Sequence, residues 1–255
     1  MKKMEVKFLG TNGWYDTPTG NTSCVLFDTA EHYIVLDAGS GFQKLRGAVH
    51  DTRPVFLFIS HLHLDHLIGL HTLPLFNFPQ GIDIFTPKPF EKLLRGFLKR
   101  PFTSPPAHLK TRLRFHAIDR DMRFSFGFKT ARLRHSVPCY GYRFDTPGGS
   151  VTYCTDTGDC ASLSRLAART DLLITECALA PGDRSPNLFH ITPETAARAA
   201  DKARAKSLAL FHFDPGRYPS FAERDEAQAS ARKIFPDTIA ARDGTVIDMR
   251  MKGQG

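Results

Sequence analysis

The sequence SHLHLDH, residues 60–66, follows directly on the apolar run VFLFI at residues 55–59. That run has the length and composition of a buried β-strand, so the polar residues stand at the end of a strand. The side chains in this stretch that can bind a metal ion are His61, His63, Asp65 and His66. Burying such groups without a partner costs several kcal/mol. Imidazole and carboxylate ligands suit zinc, manganese or iron(II), and the stretch therefore predicts a metal site.

Other polar residues follow predicted strands in the same way. Directly after YIVL, SVTYCT, LLIT and SLALF come, respectively, Asp37, Asp156, Glu176 and His212. Because ligand sites in open α/β sheets assemble at the carboxyl ends of strands, we expect these residues to meet in one cleft. Two further candidates are His135, which follows the predicted strand KTARLR, and His190, in a predicted loop.

The stretch HLHLDH resembles the HxHxDH signature of the metallo-β-lactamase superfamily. Other parts of the chain resemble this superfamily in the same order: KFLGTNG at residues 7–13, LDAG at Asp37, the downstream His135, YCTDTGD around Asp156, and LFHF at His212. The resemblance covers nearly the whole chain. It implies an α/β fold, a four-layer αββα sandwich with the site at one edge. No stretch has the composition of a linker, so residues 1–255 are expected to form one domain.

Two longer stretches narrow the resemblance to one branch of the superfamily. HSVPCYGYRF and NLFHITPETAARAADKARAKSLALFHF are similar to the equivalent parts of ribonuclease Z and its phosphodiesterase relatives. In those relatives a histidine that precedes the penultimate helix works beside the metals, as His190 would here. The histidine-containing ligand set also resembles that of the phosphodiesterases and differs from that of enzymes with a cysteine ligand.

The chain departs from ribonuclease Z in one informative respect. Ribonuclease Z inserts a long tRNA-gripping arm between the ligands that match His135 and Asp156, but here these residues are only 21 positions apart. The compact layout is similar to small-molecule cyclic-phosphate phosphodiesterases, including the cyclic phosphoribose enzyme of carbon–phosphorus lyase pathways. That enzyme also has a cysteine-based structural zinc near its N-terminus. The five cysteines of this chain are scattered and form no CxxC pair, so no such zinc is expected.

The resemblance implies two divalent metal ions, zinc or manganese, with iron(II) as a further candidate. We assign the first ion to His61, His63, His135 and Asp156. We assign the second to Asp65, His66, His212 and the bridging Asp156. A hydroxide between the ions would attack the substrate.

Three residues are catalytic candidates: Asp65, His190 and Glu176. His190 would stabilise the phosphate or protonate the leaving oxygen, and Glu176 would orient His190 or a ligand histidine. Asp37 would accept the second N–H of a ligand histidine, as carboxylates behind metal ligands do. For Glu176 and Asp37 the alternative is a simple structural hydrogen bond at a strand end.

These inferences favour a phosphodiesterase that acts on a small cyclic phosphate or a cyclic nucleotide. The alternatives are an RNA-processing nuclease of ribonuclease Z type, a lactone or thioester hydrolase, and a binding protein without turnover. RNA is a candidate partner because residues 92–134 contain twelve basic and two acidic residues, within a chain of net charge +8. The same segment could equally be a solvated basic face.

Apolar runs predict strands at residues 6–9, 24–27, 33–36, 55–59, 150–154, 172–175, 208–211 and 245–249. Helices are predicted at residues 90–98, 193–205 and 221–234. Residues 71–116 are rich in proline, phenylalanine and basic residues, and we interpret them as an irregular flap over the site, with an ordinary surface excursion as the alternative.

The chain has no run of 18 uncharged apolar residues, and Glu5 and Lys7 interrupt its N-terminal apolar stretch. We therefore expect no membrane span and a cytoplasmic location. Relatives in this branch are often dimers, so the resemblance makes a homodimer one candidate assembly, and the sequence does not give the oligomeric state.

Overall fold

The strand that leads into the histidine-rich stretch is observed at Val55–Phe58. It lies inside a sheet, between two parallel neighbours. A strand that is covered on both faces reads as a continuous apolar run, which is the pattern seen in the sequence. The computed structural model describes residues 4–119, 122–184 and 188–249.

The strands of these described residues are numbered in chain order. Their bounds are β1 Met4–Gly10, β2 Cys24–Thr29, β3 Tyr33–Leu36, β4 Val55–Phe58, β5 Ile82–Pro87, β6 Leu113–Ile118, β7 Gly127–Leu133, β8 Cys139–Thr146, β9 Gly149–Cys154, β10 Leu172–Glu176, β11 Ser207–Phe211, β12 Thr238–Ala240 and β13 Val246–Asp248. One sheet has the order β13-β1-β2-β3-β4-β5-β6 and the other the order β12-β11-β10-β9-β8-β7.

Both sheets are mixed. Their parallel strands include the apolar runs that precede Asp37, His61, Asp156, Glu176 and His212. In the first sheet β3, β4, β5 and β6 are parallel to one another. In the second sheet β9, β10, β11 and β12 are parallel. The carboxyl ends of parallel strands lie at the same edge of a sheet. The residues that follow the parallel strands of each sheet therefore lie close together at that edge.

Helices cover the outer faces of both sheets. The α-helices are α1 Glu91–Phe97, α2 Ala161–Leu166, α3 Pro193–Ala203 and α4 Phe221–Arg232. Five 3₁₀ helices of the described residues are Ser40–Gly47, Leu64–His66, Ile68–Leu75, Lys88–Phe90 and Pro106–His108. The side chain of Thr192 accepts a hydrogen bond from the Thr195 N–H and caps α3, which begins with Pro193 as the sequence predicts.

Three apolar clusters separate the layers. The central cluster joins the inner faces of the two sheets and includes Phe27 and Phe58 from the first and Phe144 and Phe211 from the second. A second cluster lies between the first sheet and α1 together with the 3₁₀ helices Ser40–Gly47 and Ile68–Leu75. The third lies between the second sheet and α2, α3 and α4, where alanines let the helices approach closely. The predicted four-layer αββα sandwich is therefore confirmed.

All eight apolar runs singled out in the sequence are strands, and the three predicted helices are α1, α3 and α4. The predictions missed β5, β6, β8, β12 and α2. The polar residues Asp83, Arg114 and His116 interrupt β5 and β6, so neither strand shows a continuous apolar run. These strands form because they pair with β4 and with each other at the end of a sheet, which a local pattern does not record.

Residues 71–116 are more regular than the predicted irregular flap. They include β5, α1 and most of β6, and thus help to extend the first sheet. A role of this segment as a cover over the site stays a prediction. Within the described ranges, no helix is both long and apolar enough to cross a bilayer.

Candidate metal centre

Residues from both sheets meet where the carboxyl ends of β4, β9 and β11 come together. The stretch 60–66 follows β4. It contains the 3₁₀ helix Leu64–His66, which directs Asp65 and His66 toward the second sheet. His135 follows β7, Asp156 follows β9 and His212 follows β11.

The first group of potential ligands consists of His61, His63, His135 and Asp156. One ligand atom from each of these residues lies within 4.8 Å of the others. His135 Nε2 is 3.3 Å from His63 Nδ1. Asp156 Oδ1 is 4.0 Å from His61 Nε2 and 3.8 Å from His135 Nε2.

The second group consists of Asp65, His66 and His212. The Nε2 atoms of His66 and His212 are 3.2 Å apart, and Asp65 Oδ2 lies 3.3 Å and 3.2 Å from them, respectively. Asp156 Oδ2 is 3.0 Å from His66 Nε2 and 3.1 Å from His212 Nε2. The two carboxylate oxygens of Asp156 therefore face different groups, and Asp156 lies between them.

The spacing and chemistry of these donors fit divalent metal ions. A Zn–N bond of about 2.0–2.1 Å with tetrahedral geometry places neighbouring donors about 3.3 Å apart. The separations around His66 and His212 are 3.0–3.3 Å, and the three separations given above for the first group are 3.3–4.0 Å. His61 Nε2 is buried and has no hydrogen-bond partner, although it points toward Asp156. An unpartnered imidazole nitrogen inside a protein is costly unless it binds something, and a metal ion would satisfy it.

Asp37 fixes the position of one histidine from behind. Its Oδ2 lies 2.8 Å from His66 Nδ1, so the Nε2 of that ring faces the centre. The fully buried carboxylate also accepts hydrogen bonds of 2.7 Å from the Ser60 N–H and hydroxyl, and of 2.8 Å from the Tyr153 hydroxyl. This is the arrangement by which carboxylates orient metal-binding histidines.

Three residues of the centre adopt the left-handed backbone region. They have φ values of 58°, 20° and 56° and are Asp37, Asp156 and His212. Residues other than glycine rarely adopt positive φ, and such strain is concentrated at functional sites. Asp37 and His212 are each the first residue after a buried strand, and Asp156 is the second, so the backbone turn at each strand end points a polar side chain toward the centre.

The electrostatics of the centre are dominated by buried carboxylates. Burial alone raises the pKa of Asp65, but the charge on His66 and hydrogen bonds from His212 and His66 hold it below its usual range. Burial alone lowers the pKa of His66, but Asp65, Asp156 and Asp37 raise it well above its usual value. Burial lowers the pKa of His61, which keeps its ring neutral and able to donate a lone pair. The centre thus attracts positive charge.

Glu176 and His190 form a pair beside the centre. Glu176 Oε1 lies 2.9 Å from His190 Nδ1. The fully buried carboxylate also accepts hydrogen bonds from the backbone N–H groups of Thr157, Ala178 and Ile191. Burial alone lowers the pKa of His190, but the charge of Glu176 and its hydrogen bond raise it to about 9. The His190 ring is 5.4 Å from that of His135, so a protonated imidazole lies next to the first group.

A cleft of about 410 Å³ opens onto these residues. From the predicted site it is lined by His63, Asp65, His135, Asp156, His190 and His212. The structure therefore places these six residues at one surface, with His61, His66, Asp37 and Glu176 buried behind them. None of the described residues of the segment 71–116 lines this cleft.

Sequence reasoning did not single out two aromatic residues that line the cleft, Trp14 and Phe189. Trp14 follows the KFLGTNG stretch, and Phe189 directly precedes His190. A signal existed for Trp14, because it is the only tryptophan of the sequence and stands just after a predicted strand. Phe189 carried no such signal, since phenylalanine occurs 21 times in the chain.

A family model described as a beta-lactamase superfamily domain matches residues 32–213, more than two thirds of the chain. The chain belongs to this superfamily. Ribonuclease Z of Crocosphaera subtropica is 30% identical over 305 residues, which cover 94% of this chain and 96% of that protein. Because this alignment is longer than the 255-residue chain, part of the relative lies opposite gaps in it.

Two solved structures are similar over nearly their whole length. The metallo-β-lactamase fold protein YhfI from Bacillus subtilis has a TM-score of 0.81 and 23% identity, with 97% of this chain and 100% of YhfI covered. A diphosphatase from the PhnP family has a TM-score of 0.74 and 19% identity, with 96% and 97% covered. Superfamily membership and the histidine–aspartate cluster confirm that this protein is a metal-dependent hydrolase.

Proposed function

We propose that this hydrolase is a phosphodiesterase that acts on a small cyclic phosphate or a cyclic nucleotide with the help of two divalent ions, zinc or manganese. The observation that carries the proposal is the placement of Asp156 between two donor groups, with His190 on the same cleft and its partner Glu176 buried behind it. Two cations about 3.5–4 Å apart suit phosphodiester cleavage because charge develops on both the attacking and the leaving oxygen.

The proposed ligands of the first ion are His61, His63, His135 and Asp156. The proposed ligands of the second are Asp65, His66, His212 and Asp156. When bound, the ions would activate a water molecule and offset the negative charge of the phosphoryl oxygens. Asp37 would hold His66 in its ligating orientation through the 2.8 Å contact between Oδ2 and Nδ1.

His190 is the proposed proton donor. Water would add to phosphorus and release one proton to solvent, the bond from phosphorus to the leaving oxygen would break, and the leaving oxygen would take the proton of the His190 ring. His190 would then regain a proton from solvent. Glu176 supports this role because its carboxylate holds His190 protonated and fixes the ring through Nδ1, which leaves Nε2 for the substrate. Asp65, which lines the cleft beside the second group, would contact the attacking water.

A ribonuclease Z-type activity on RNA is the second candidate. The 30% identity to a ribonuclease Z over nearly the whole chain favours it, as does the basic segment 92–134. Against it stands the spacing of 21 positions between His135 and Asp156, which contains only β8, β9 and their connections. Such a substrate would make many phosphate contacts, so its cleavage would fall steeply with salt.

The deciding experiment combines elemental analysis with hydrolysis assays on the same purified sample. We expect about two zinc or manganese ions per chain, together with hydrolysis of bis(p-nitrophenyl) phosphate and of cyclic nucleotides. Asp65→Ala should lower the metal content by weakening the second site. Two metals with cleavage of lactones or thioesters and no diester hydrolysis would reject the phosphodiesterase. Cleavage of precursor tRNA alone, with strong salt dependence, would favour the nuclease.

A further inference from the structure

Trp14 is the sole tryptophan of the chain, and its residue is 74% exposed at the wall of the cleft. Tryptophan gains much free energy from burial, and aromatic side chains are frequent in the walls of small-molecule sites. The ring lies 5.5 Å from that of Tyr15 in an edge-on arrangement, which leaves a large part of its surface in water. This position fits a ring that is covered when a ligand enters.

The backbone of Trp14 is held in this position by the centre itself. Trp14 has φ 63°, an uncommon conformation for a bulky side chain. Its N–H donates to Asp65 Oδ2 at 2.9 Å, and the preceding Gly13 N–H donates to the Phe213 carbonyl at 2.8 Å. A Cβ on Gly13 would stand 2.5 Å from the His212 ring, so only glycine fits between the backbone of this loop and His212.

Phe189 adds a second aromatic ring to the same cleft. Its ring is 6.0 Å from that of His135, and it immediately precedes the proposed proton donor His190. Ala178 and Leu179 extend the apolar part of the wall. The histidines and aspartates form the polar part of the cleft. The two aromatic side chains lie in loops that follow strands of different sheets.

We infer that Trp14 and Phe189 form a stacking subsite for a nucleobase, so that the substrate is a small nucleotide and not a cyclic sugar phosphate. The inference rests on the proposed phosphodiesterase function and assigns its substrate class. Stacking suits this role because every base offers a flat π-face next to its sugar phosphate. The cleft volume of about 410 Å³ lies within the range of small-ligand pockets, about 300–1,000 Å³.

Fluorescence of the single tryptophan tests the inference without turnover. The metal-loaded protein is titrated with adenosine 5′-monophosphate and, as a matched control, with ribose 5-phosphate, which has the same sugar phosphate and no base. We expect saturable quenching of Trp14 by the nucleotide and little change with the sugar phosphate. No response to the nucleotide, or the same response to both ligands, would overturn the stacking subsite.

Variants give an independent readout. Trp14→Leu and Phe189→Leu should each lower kcat/KM for a cyclic nucleotide by roughly 5- to 150-fold, the range for loss of one stacking contact. Trp14→Phe should retain most activity. Phe102→Leu, which removes an aromatic residue that is 67% exposed and does not line the cleft, should change nothing. Metal content is measured for every variant, so a fall caused by metal loss is recognised.

The outcomes separate this inference from the proposed function. If diester hydrolysis is present but Trp14→Leu slows a cyclic sugar phosphate as much as a cyclic nucleotide, the stacking subsite is wrong and the phosphodiesterase stands. If nucleotides quench Trp14 but no phosphodiester is cleaved, the proposed reaction is wrong and the subsite stands.

Discussion

At the scale of single residues, the centre depends on buried carboxylates that each have several partners. Asp156 lies between the two donor groups, while Asp37 and Glu176 each hold one histidine and several backbone or hydroxyl groups. Removing any of these carboxylates would leave several buried donors unpaired, so stability and activity would change together. His190 is different, because it is partly exposed on the cleft, where Glu176 holds its ring through Nδ1.

The role proposed for His190 predicts a dependence on the leaving group. His190→Ala should lower turnover by roughly 100-fold or more on a diester with a sugar hydroxyl as leaving group, because that oxygen needs a proton. The loss should be much smaller on bis(p-nitrophenyl) phosphate, whose nitrophenolate leaves without protonation. Steady-state kinetics of the wild type and the variant on both substrates measure the two losses, and metal content is determined for each sample.

His108→Ala supplies the matched control, since His108 is exposed and does not line the cleft. It should leave both activities unchanged. An equal loss on the two substrates after His190→Ala would show that His190 binds the phosphate and does not protonate the leaving oxygen.

At the scale of elements, α4 anchors the loop that reaches the centre. Arg224 on α4 is fully buried and its guanidinium donates to the side chains of Thr11, Asn12 and Thr19 and to the Ala241 carbonyl. Burial lowers the pKa of Arg224 to about 10, so the group is still charged at neutral pH. Through these contacts the helix fixes residues 11–19, which place Gly13 against His212 and Trp14 against Asp65, two of the proposed metal ligands.

Arg224→Met should therefore destabilise the protein. The substitution keeps much of the buried volume but leaves several buried oxygens without a donor, at about 1–3 kcal/mol for each unsatisfied group. We expect the free energy of unfolding in urea to fall by several kcal/mol, and the emission of Trp14 in the folded protein to change because its loop is released.

The matched control is Arg198→Met, on the exposed side of α3. A surface substitution of this kind should change the unfolding free energy by no more than about 0.5 kcal/mol. If Arg224→Met behaves like Arg198→Met, the loop is held by its backbone contacts alone.

At the scale of the whole molecule, the centre joins the two sheets. The stretch 60–66 comes from the end of the first sheet, whereas His135, Asp156 and His212 come from the second. Metal ions bound between them would therefore cross-link the two halves of the sandwich. In the unfolded chain these ligands are separated by up to 151 positions in the sequence, from His61 to His212, and offer no preformed site.

Removal of metal should accordingly lower the thermal stability. A free metal concentration of about 1,000 times Kd stabilises the folded state by about 4 kcal/mol per site. For a chain of this size that corresponds to a rise in Tm of roughly 8–16 °C per site. Differential scanning calorimetry before and after chelation measures it, and re-addition of zinc or manganese should restore the higher Tm. Identical Tm values with and without metal would contradict a centre that links the sheets.

Much of this architecture was readable in the sequence because buried parallel strands have a continuous apolar pattern. The runs before Asp37, His61, Asp156 and His212 each predicted a strand followed by a polar residue, and these strands are present. Strands β5 and β6 were missed because polar residues interrupt them. Their formation depends on pairing at the end of the sheet, which is a tertiary contact.

The sequence by itself determined many of the strands and the polar residues at their ends, because local patterns of period and spacing encode them. The superfamily and the sandwich followed from the resemblance of its motifs to a known family. The resemblance also implied two groups with Asp156 between them, but only the tertiary structure brings residues from the two sheets to within a few ångströms of each other. The structure also brought Trp14 and Phe189 to one cleft from positions 175 residues apart. These contacts between distant residues depend on the packing of two sheets and on strained backbone turns. Neither feature produces a periodic pattern in the sequence.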